Sequence, residues 1–325
     1  MKAIVCNEWC KPQDLKVSEI ARPNLDNNSV RIEVHGAGVN FPDVLIVQGK
    51  YQYKPPFPFS PGSEVAGIII EVGSNVKKLS IGDRVMAVTG HGAFAEEVCV
   101  PENKITLIPK EMDFITAASM SLTYGTSAYA LFQRANINEN DVVLVHGATG
   151  GVGITALEIS KAIGAKVIAT ASTDDKLKIA KEYGADYCIN YSQNEFKEKV
   201  KEITNGKGAN IIYDPVGGDV FNQSLRCIAW DGRILVIGFA SGNIASAPTN
   251  LPLLKNCSIV GVFWGAWRER DPNGHNINME KILKWWQEKR IKPTVSKVFN
   301  LEDTKYALQA LVNREVIGKA VIKIK

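Results

Sequence analysis

The chain has 325 residues, 38 basic against 34 acidic side chains for a net charge of +4, and 45% hydrophobic against 22% charged residues. That length allows about two domains of roughly 100–200 residues each, and the composition excludes a disordered or fibrous protein. The near-balance of charge supplies no field for nucleic acid or an anionic membrane, and no apolar run approaches the ~20 residues that span a bilayer.

The N-terminus opens directly as a strand-like run, Met1-Lys2-Ala3-Ile4-Val5, with neither the apolar segment of a signal peptide nor an Arg-rich transit pattern. The six cysteines, Cys6, Cys10, Cys99, Cys188, Cys227 and Cys257, are scattered and form no C-x-x-C. Reduced thiols in a cytoplasmic protein are expected. Residues 1–125 read as mostly β, with β-branched runs at 29–34, 65–72 and 84–88. Repeated proline between Gly49 and Gly62 excludes a helix there and predicts an ordered loop.

From about residue 126 the rhythm changes. Strands are predicted at 142–145, 166–171, 187–190, 209–213, 233–237 and 258–264, and helices at 154–163, 174–183, 195–204 and 220–229. Six strands alternating with helices predict an α/β fold with a doubly wound parallel sheet of the Rossmann type. Two further helices, 279–290 and 304–313 (the latter capped by Thr304), and a strand at 320–324 complete the chain. The tail is too short for a third domain. The expected division is therefore a first domain of residues 1–125 completed by 265–325, and a second of residues 126–264.

The chemistry-bearing loop is Gly147-Ala148-Thr149-Gly150-Gly151-Val152-Gly153. Set against G-x-G-x-x-G, Ala148 takes the first place, where the chain makes its tight turn. Gly150 then admits a pyrophosphate, and Gly153 allows helix and strand to pack closely. The following helix offers free N–H groups and a positive dipole end. An NAD-selecting carboxylate is expected about 20 residues on, yet 19 residues beyond Gly153 stands Ser172. Asp174 and Asp175 read as first-turn helix residues, and Ser172, Lys176 and Tyr191 make a nest for a 2′-phosphate, so NADPH is favoured over NADH.

The sequence resembles the zinc-free quinone oxidoreductases (zeta-crystallin type) of the medium-chain dehydrogenase/reductase superfamily. The resemblance rests on Gly36-Ala37-Gly38-Val39-Asn40-Phe41-Pro42-Asp43, Gly49-Lys50-Tyr51, Pro61-Gly62-Ser63-Glu64 with Gly67, and Gly82-Asp83-Arg84-Val85. Gly92-Ala93-Phe94-Ala95-Glu96, the glycine loop, Ile189-Asn190-Tyr191 and Tyr213-Asp214-Pro215-Val216-Gly217-Gly218 continue it along nearly the whole chain. It implies a GroES-like, mostly β catalytic domain joined to a Rossmann domain, an active site in the cleft between them, and a homodimer paired through the strand at 258–264.

The superfamily's zinc alcohol dehydrogenases hold catalytic zinc with Cys, His and Cys. The matching positions here are Asn40, Ser63 and Ala118, none a soft ligand, and the four-cysteine structural-zinc loop is missing. No metal site is expected. Without zinc, alcohol oxidation loses its Lewis acid, which redirects the chemistry to an acceptor that is already electrophilic. The resemblance implies that Phe41 and Leu45 line the nicotinamide, and that Thr126 and Tyr129 look toward the cofactor from a crossing helix. Gly150, Gly151 and Val152 would hold the pyrophosphate. Val216 would stand in the loop after the fourth strand, Gly238, Phe239 and Ala240 after the fifth, and Phe263, Trp264 and Gly265 at the end of the sixth.

A hydride acceptor develops negative charge on oxygen, so a nearby donor helps. Asn40 and Tyr51 are the candidates, with Tyr53 and Tyr124 as alternatives and Asp43 in a structural role. The expected activity is NADPH-dependent reduction of a small-molecule quinone or enone. The alternatives are a C=C reductase of 2-enals or enoyl-CoA and a non-enzymatic NADPH-binding protein.

Overall fold

A computed structural model describes residues 1–193 and 195–325. The chain divides into two compact units: Met1–Leu122 with Pro293–Lys325, and Thr123–Lys292. The first unit is thus interrupted, but the chain returns to it at Pro293, and residues 265–292 lie in the second unit, against expectation. The helix Pro272–Gln287 explains this. Its Trp285 meets Phe132 edge-on, with ring centroids 6.0 Å apart, and its Asn278 exchanges two 3.0 Å side-chain hydrogen bonds with Gln133.

In the first unit, the long strand Ser29–Val39 is buried along almost its whole length and anchors a seven-stranded sheet. Glu64–Val72 and Glu97–Pro101 pair with it antiparallel, Arg84–Val88 extends the sheet beyond Glu64–Val72, and Ile105–Leu107 forms one edge. The last strand, Lys319–Lys323, lies antiparallel on residues Gly36 to Val39, which draws the chain terminus onto the motif that carries Asn40. Val30, Ile32, Val34, Val65, Ile69, Phe94 and Ile322 fill the core of this unit.

Among the described residues the second unit holds six parallel strands in the order Tyr187–Asn190, Lys166–Ala171, Val142–Val145, Ala209–Asp214, Ile228–Val236, Ser258–Gly261. Counted along the chain this is 3-2-1-4-5-6, the doubly wound dinucleotide-binding order. The strands at 142–145, 166–171 and 209–214 are buried along nearly their whole length, as a sheet covered on both faces requires.

Three expectations fail at the C-terminal side. The sixth strand stops at Gly261, and residues 264–270 form the helix Trp264–Arg270 instead of strand end and charged loop. The next helix begins at Pro272, seven residues before expectation, because Asp271 caps it through a 2.9 Å bond from Gly274 N–H and proline stands at its first position. Thr304 does not cap Thr304–Val312; its hydroxyl donates back to the Leu301 carbonyl at 2.7 Å.

Candidate active site

In the second unit, the carboxyl ends of all six strands carry the residues singled out for the cofactor. The first strand ends before Gly147, and it is Gly147, with φ +56°, that makes the tight turn assigned to Ala148. Ala148 is buried, its N–H on the Thr170 carbonyl at 3.3 Å. Gly153 needs to be glycine for a different reason: a Cβ there would lie 2.1 Å from the Gly147 carbonyl oxygen. The helix Gly151–Ile163 can therefore start directly against the turn. Gly150 caps it in extended conformation, exposed, and the N–H groups of Gly151, Val152 and Gly153 have no partner within the helix.

Beyond the second and third strands lies a cavity of about 480 Å³ lined by Ser172, Thr173, Asp174, Asp175, Lys178, Asn190, Ser192 and Gln193. Of the expected phosphate nest only Ser172 lines it; Tyr191, exposed, and Lys176, half-buried, are not among the lining residues. Lys178, which the motif did not single out, has its ammonium 2.9 Å from Asp175. Lys176 has no hydrogen bond or ion pair from its ammonium among the described residues, so its charge remains available. Asn190 donates to Asp174 at 2.7 Å, and Ser192 donates to the Ser172 carbonyl at 3.0 Å, tying the two strand ends together.

The loops after the fourth and fifth strands are joined. Buried Asp214 accepts from Val216 N–H at 2.8 Å and Gly217 N–H at 2.9 Å. Ala240 N–H then reaches the Pro215 carbonyl at 2.9 Å, and Ser241 N–H the Val216 carbonyl at 3.0 Å. Val216, Gly238, Phe239 and Ala240 thus share one wall, with the Phe239 ring exposed. After the sixth strand, Phe263 is 58% exposed. Trp264 is buried: its ring fills the space over Gly125, where a Cβ would come within 2.6 Å, and packs edge-on against His275. Gly265 is half-buried. Tyr129 stacks on Trp267 at 4.4 Å, and Thr126 lies half-buried one turn earlier. Tyr124 is not a free donor; its buried phenol is bound to Glu158 at 2.5 Å.

In the first unit, Asn40 precedes the helix Phe41–Val47 and is held on every side. Its backbone N–H donates to Asp43 Oδ2 at 2.8 Å; its Nδ2 donates to Glu64 Oε2 at 3.0 Å and to the Gly38 carbonyl at 3.3 Å. Its Oδ1 accepts from Lys319 Nζ at 2.6 Å. Asp43 also accepts from Ser63 Oγ at 3.1 Å, and burial pushes its carboxyl up to about 7. Phe41 is exposed and Leu45 half-buried on the same helix. Tyr51 packs half-buried against the core of this unit, and burial raises its phenol. Tyr53 is more exposed and hydrogen-bonds His91 Nδ1 at 2.8 Å. Lys319 and Glu64 are the site residues that sequence motifs did not reveal as a pair.

Two family descriptions match the chain: "Alcohol dehydrogenase GroES-like domain" over residues 26–110 and "Zinc-binding dehydrogenase" over residues 151–276. The "Quinone oxidoreductase-like protein 2 homolog" of Nematostella vectensis is 42% identical over 100% of this chain and 89% of its own. The chain belongs to the quinone oxidoreductase family of the medium-chain dehydrogenase/reductases. Human "Quinone oxidoreductase" is 35% identical over 99% of this chain and 97% of its own. The Escherichia coli quinone oxidoreductase solved in complex with NADPH superposes with a TM-score of 0.92 at 28% identity, covering 99% of this chain and 100% of that one. The protein is accordingly an oxidoreductase with a GroES-like and a Rossmann domain. The zinc in one family description does not fit the donor set here: Asn40, Ser63 and Ala118 present an amide, a hydroxyl and a methyl group. Among the described residues no three His, Cys, Asp or Glu side chains group as a metal site.

Proposed function

We propose that this protein reduces a quinone or a related enone at the expense of NADPH, without zinc. The observation that carries the reading is the amide–hydroxyl–methyl set at 40, 63 and 118 in a chain whose Rossmann unit is built for a dinucleotide. When bound, the nicotinamide supplies the hydride. The N–H groups at Gly151 and Val152 and the open backbone at Gly150 receive the pyrophosphate. Val216, Gly238, Phe239 and Ala240 wall the path along the strand ends, and the backbone around Phe263, Trp264 and Gly265 borders its far side. In the first unit, Phe41 and Leu45 present the apolar face for the nicotinamide and acceptor. Asn40, with Tyr51, supplies hydrogen-bond donors to the acceptor oxygen.

The test is a screen that follows NADPH absorbance with quinones, 2-enals and crotonyl-CoA in parallel. Quinone turnover that survives exhaustive chelation and zinc-free buffers is expected. Turnover of the thioester alone would replace this reading with an enoyl reductase.

Cofactor choice is read from the 2′-phosphate. Lys176 has an uncommitted ammonium, whereas Lys178 is already neutralised by Asp175. A hydrogen bond to a charged group is worth about 1.5–3 kcal/mol, so Lys176→Ala is expected to weaken NADPH by about 10- to 100-fold and leave NADH unchanged. Lys178→Ala, titrated alongside, is expected to change neither. The reverse pattern would move the phosphate to Lys178.

A homodimer is proposed through the sixth strand. Ser258–Gly261 is the sheet edge, mostly exposed, and Ile259 faces outward from it. An uncapped apolar edge is a pairing surface. Sedimentation should give twice the 35.5 kDa chain mass, and Ile259→Pro should return the monomer.

A further inference from the structure

Lys319 is a buried ammonium in the last strand, and its position is unusual for a lysine, a residue almost never buried unless paired. Nζ donates to the Val39 carbonyl at 3.1 Å, to Asn40 Oδ1 at 2.6 Å and to Glu64 Oε2 at 2.9 Å. Its three hydrogens are thereby used. Glu64, fully buried, accepts on the same Oε2 from Asn40 Nδ2 and on Oε1 from the Leu122 N–H at 2.8 Å. Gly38 leaves the room for this arrangement, since a Cβ there would lie 2.5 Å from Glu64 Oε2 and 2.2 Å from the Ala118 carbonyl.

The chemistry of the donors decides which way the Asn40 amide faces. An ammonium has hydrogens and no acceptor, and an ionised carboxylate accepts and cannot donate. With Lys319 on one end of the amide and Glu64 on the other, only one orientation satisfies both: oxygen to the ammonium, NH₂ to the carboxylate. A flipped amide would set NH₂ against Nζ and oxygen against oxygen among buried groups, where such clashes are costly.

We propose that Lys319 is a positioning residue for the reductase: paired with Glu64, it locks the Asn40 amide with its NH₂ group presented as donor. The Nδ2–H bond to the Gly38 carbonyl is the longest of the cluster, 3.3 Å, and is the hydrogen bond that Asn40 redirects to the acceptor oxygen as charge develops there, the hydrogen staying on Nδ2. The proposal rests on the quinone reductase reading above. It assigns the terminal strand a part in the reaction beyond closing the sheet.

Removing one partner of a buried pair strands a charge and is strongly destabilising, whereas replacing both with apolar groups is often neutral for stability. The informative protein is therefore the full-length double variant Lys319→Met/Glu64→Leu, beside Lys319→Arg, whose guanidinium also only donates. The double variant should melt near the wild type and bind NADPH within threefold. Its kcat with a quinone should fall at least 30-fold with little change in KM, and Lys319→Arg should stay within fivefold. A folded double variant with wild-type kcat overturns the proposal.

The second readout needs no acceptor. The Asn40 side-chain amide signals, assigned by their loss in Asn40→Ser, should be slow to exchange with solvent in the wild type and at least 100-fold faster in the double variant. Equal exchange in both also overturns the lock. Should the wild type turn over no quinone, the function reading fails, while this exchange measurement still decides the role of Lys319.

Discussion

Gly153→Ala is expected to raise the NADPH dissociation constant at least 30-fold and to lower the melting temperature by several degrees. The new methyl would stand 2.1 Å from the Gly147 carbonyl oxygen and 2.9 Å from the Ala148 backbone, and neither is the flexible end of a side chain. Either the turn or the helix Gly151–Ile163 must move, and overpacking of this kind costs about 1–3 kcal/mol. Moving the helix start takes the N–H groups of Gly151 and Val152 away from the position proposed for the pyrophosphate, so stability and affinity are expected to fall together. Gly150→Ala is the control. Gly150 has φ −76° and ψ 169°, which any residue adopts, and its added Cβ comes no closer than 3.3 Å to Gly147. It should melt like the wild type while still obstructing the phosphate. Calorimetric titration with NADPH and a thermal melt of each variant separate the two effects; wild-type affinity in Gly153→Ala would remove the loop from the cofactor site.

The contrast between these two glycines marks what was legible in the sequence. Strand–glycine–helix order located the loop, because a buried strand run and a helical period are local patterns. Which glycine does what was not local. The tight turn falls to Gly147, and the demand on Gly153 comes from a carbonyl six residues away. The same limit explains the misread segment at 258–270. Phe263 and Trp264 read as strand because aromatic side chains fit a pleated surface. They form a helix start because Trp264 has a hole to fill over Gly125, far back in the chain. At the proposed acceptor side, Asn40 and Tyr51 were visible in motifs, but the groups that hold the Asn40 amide were not. Lys319 and Glu64 are 255 residues apart, and a lysine at the start of a short terminal strand carries no signal of burial.

The pH dependence of stability should be set by four buried groups acting in two opposed pairs. Burial pushes Asp43 and Glu158 up to about 7, and burial pushes His146 and His275 down to about 4. Between their unfolded values near 4 and their folded values near 7, the two carboxyls hold more protons in the folded chain. Their contribution is complete below pH 4 and is lost as pH rises toward 7. The imidazoles do the opposite: from 6.5 down to 4 the unfolded chain binds the extra proton, so stability is lost as pH falls. Each group contributes a slope of about 1.4 kcal/mol per pH unit, so two of each sign nearly cancel between about pH 4.5 and 6.5. His146→Gln and Asp43→Asn break the balance in opposite directions. With His146 gone, one imidazole faces two carboxyls, and the melting temperature should fall as pH rises through that window. With Asp43 gone, two imidazoles face one carboxyl, and it should fall as pH drops. Melting each variant at half-unit steps from pH 4.5 to 6.5, relative to the wild type, reads the two slopes directly. Slopes of the same sign in both variants would mean that these groups are not buried in the states the structure gives them.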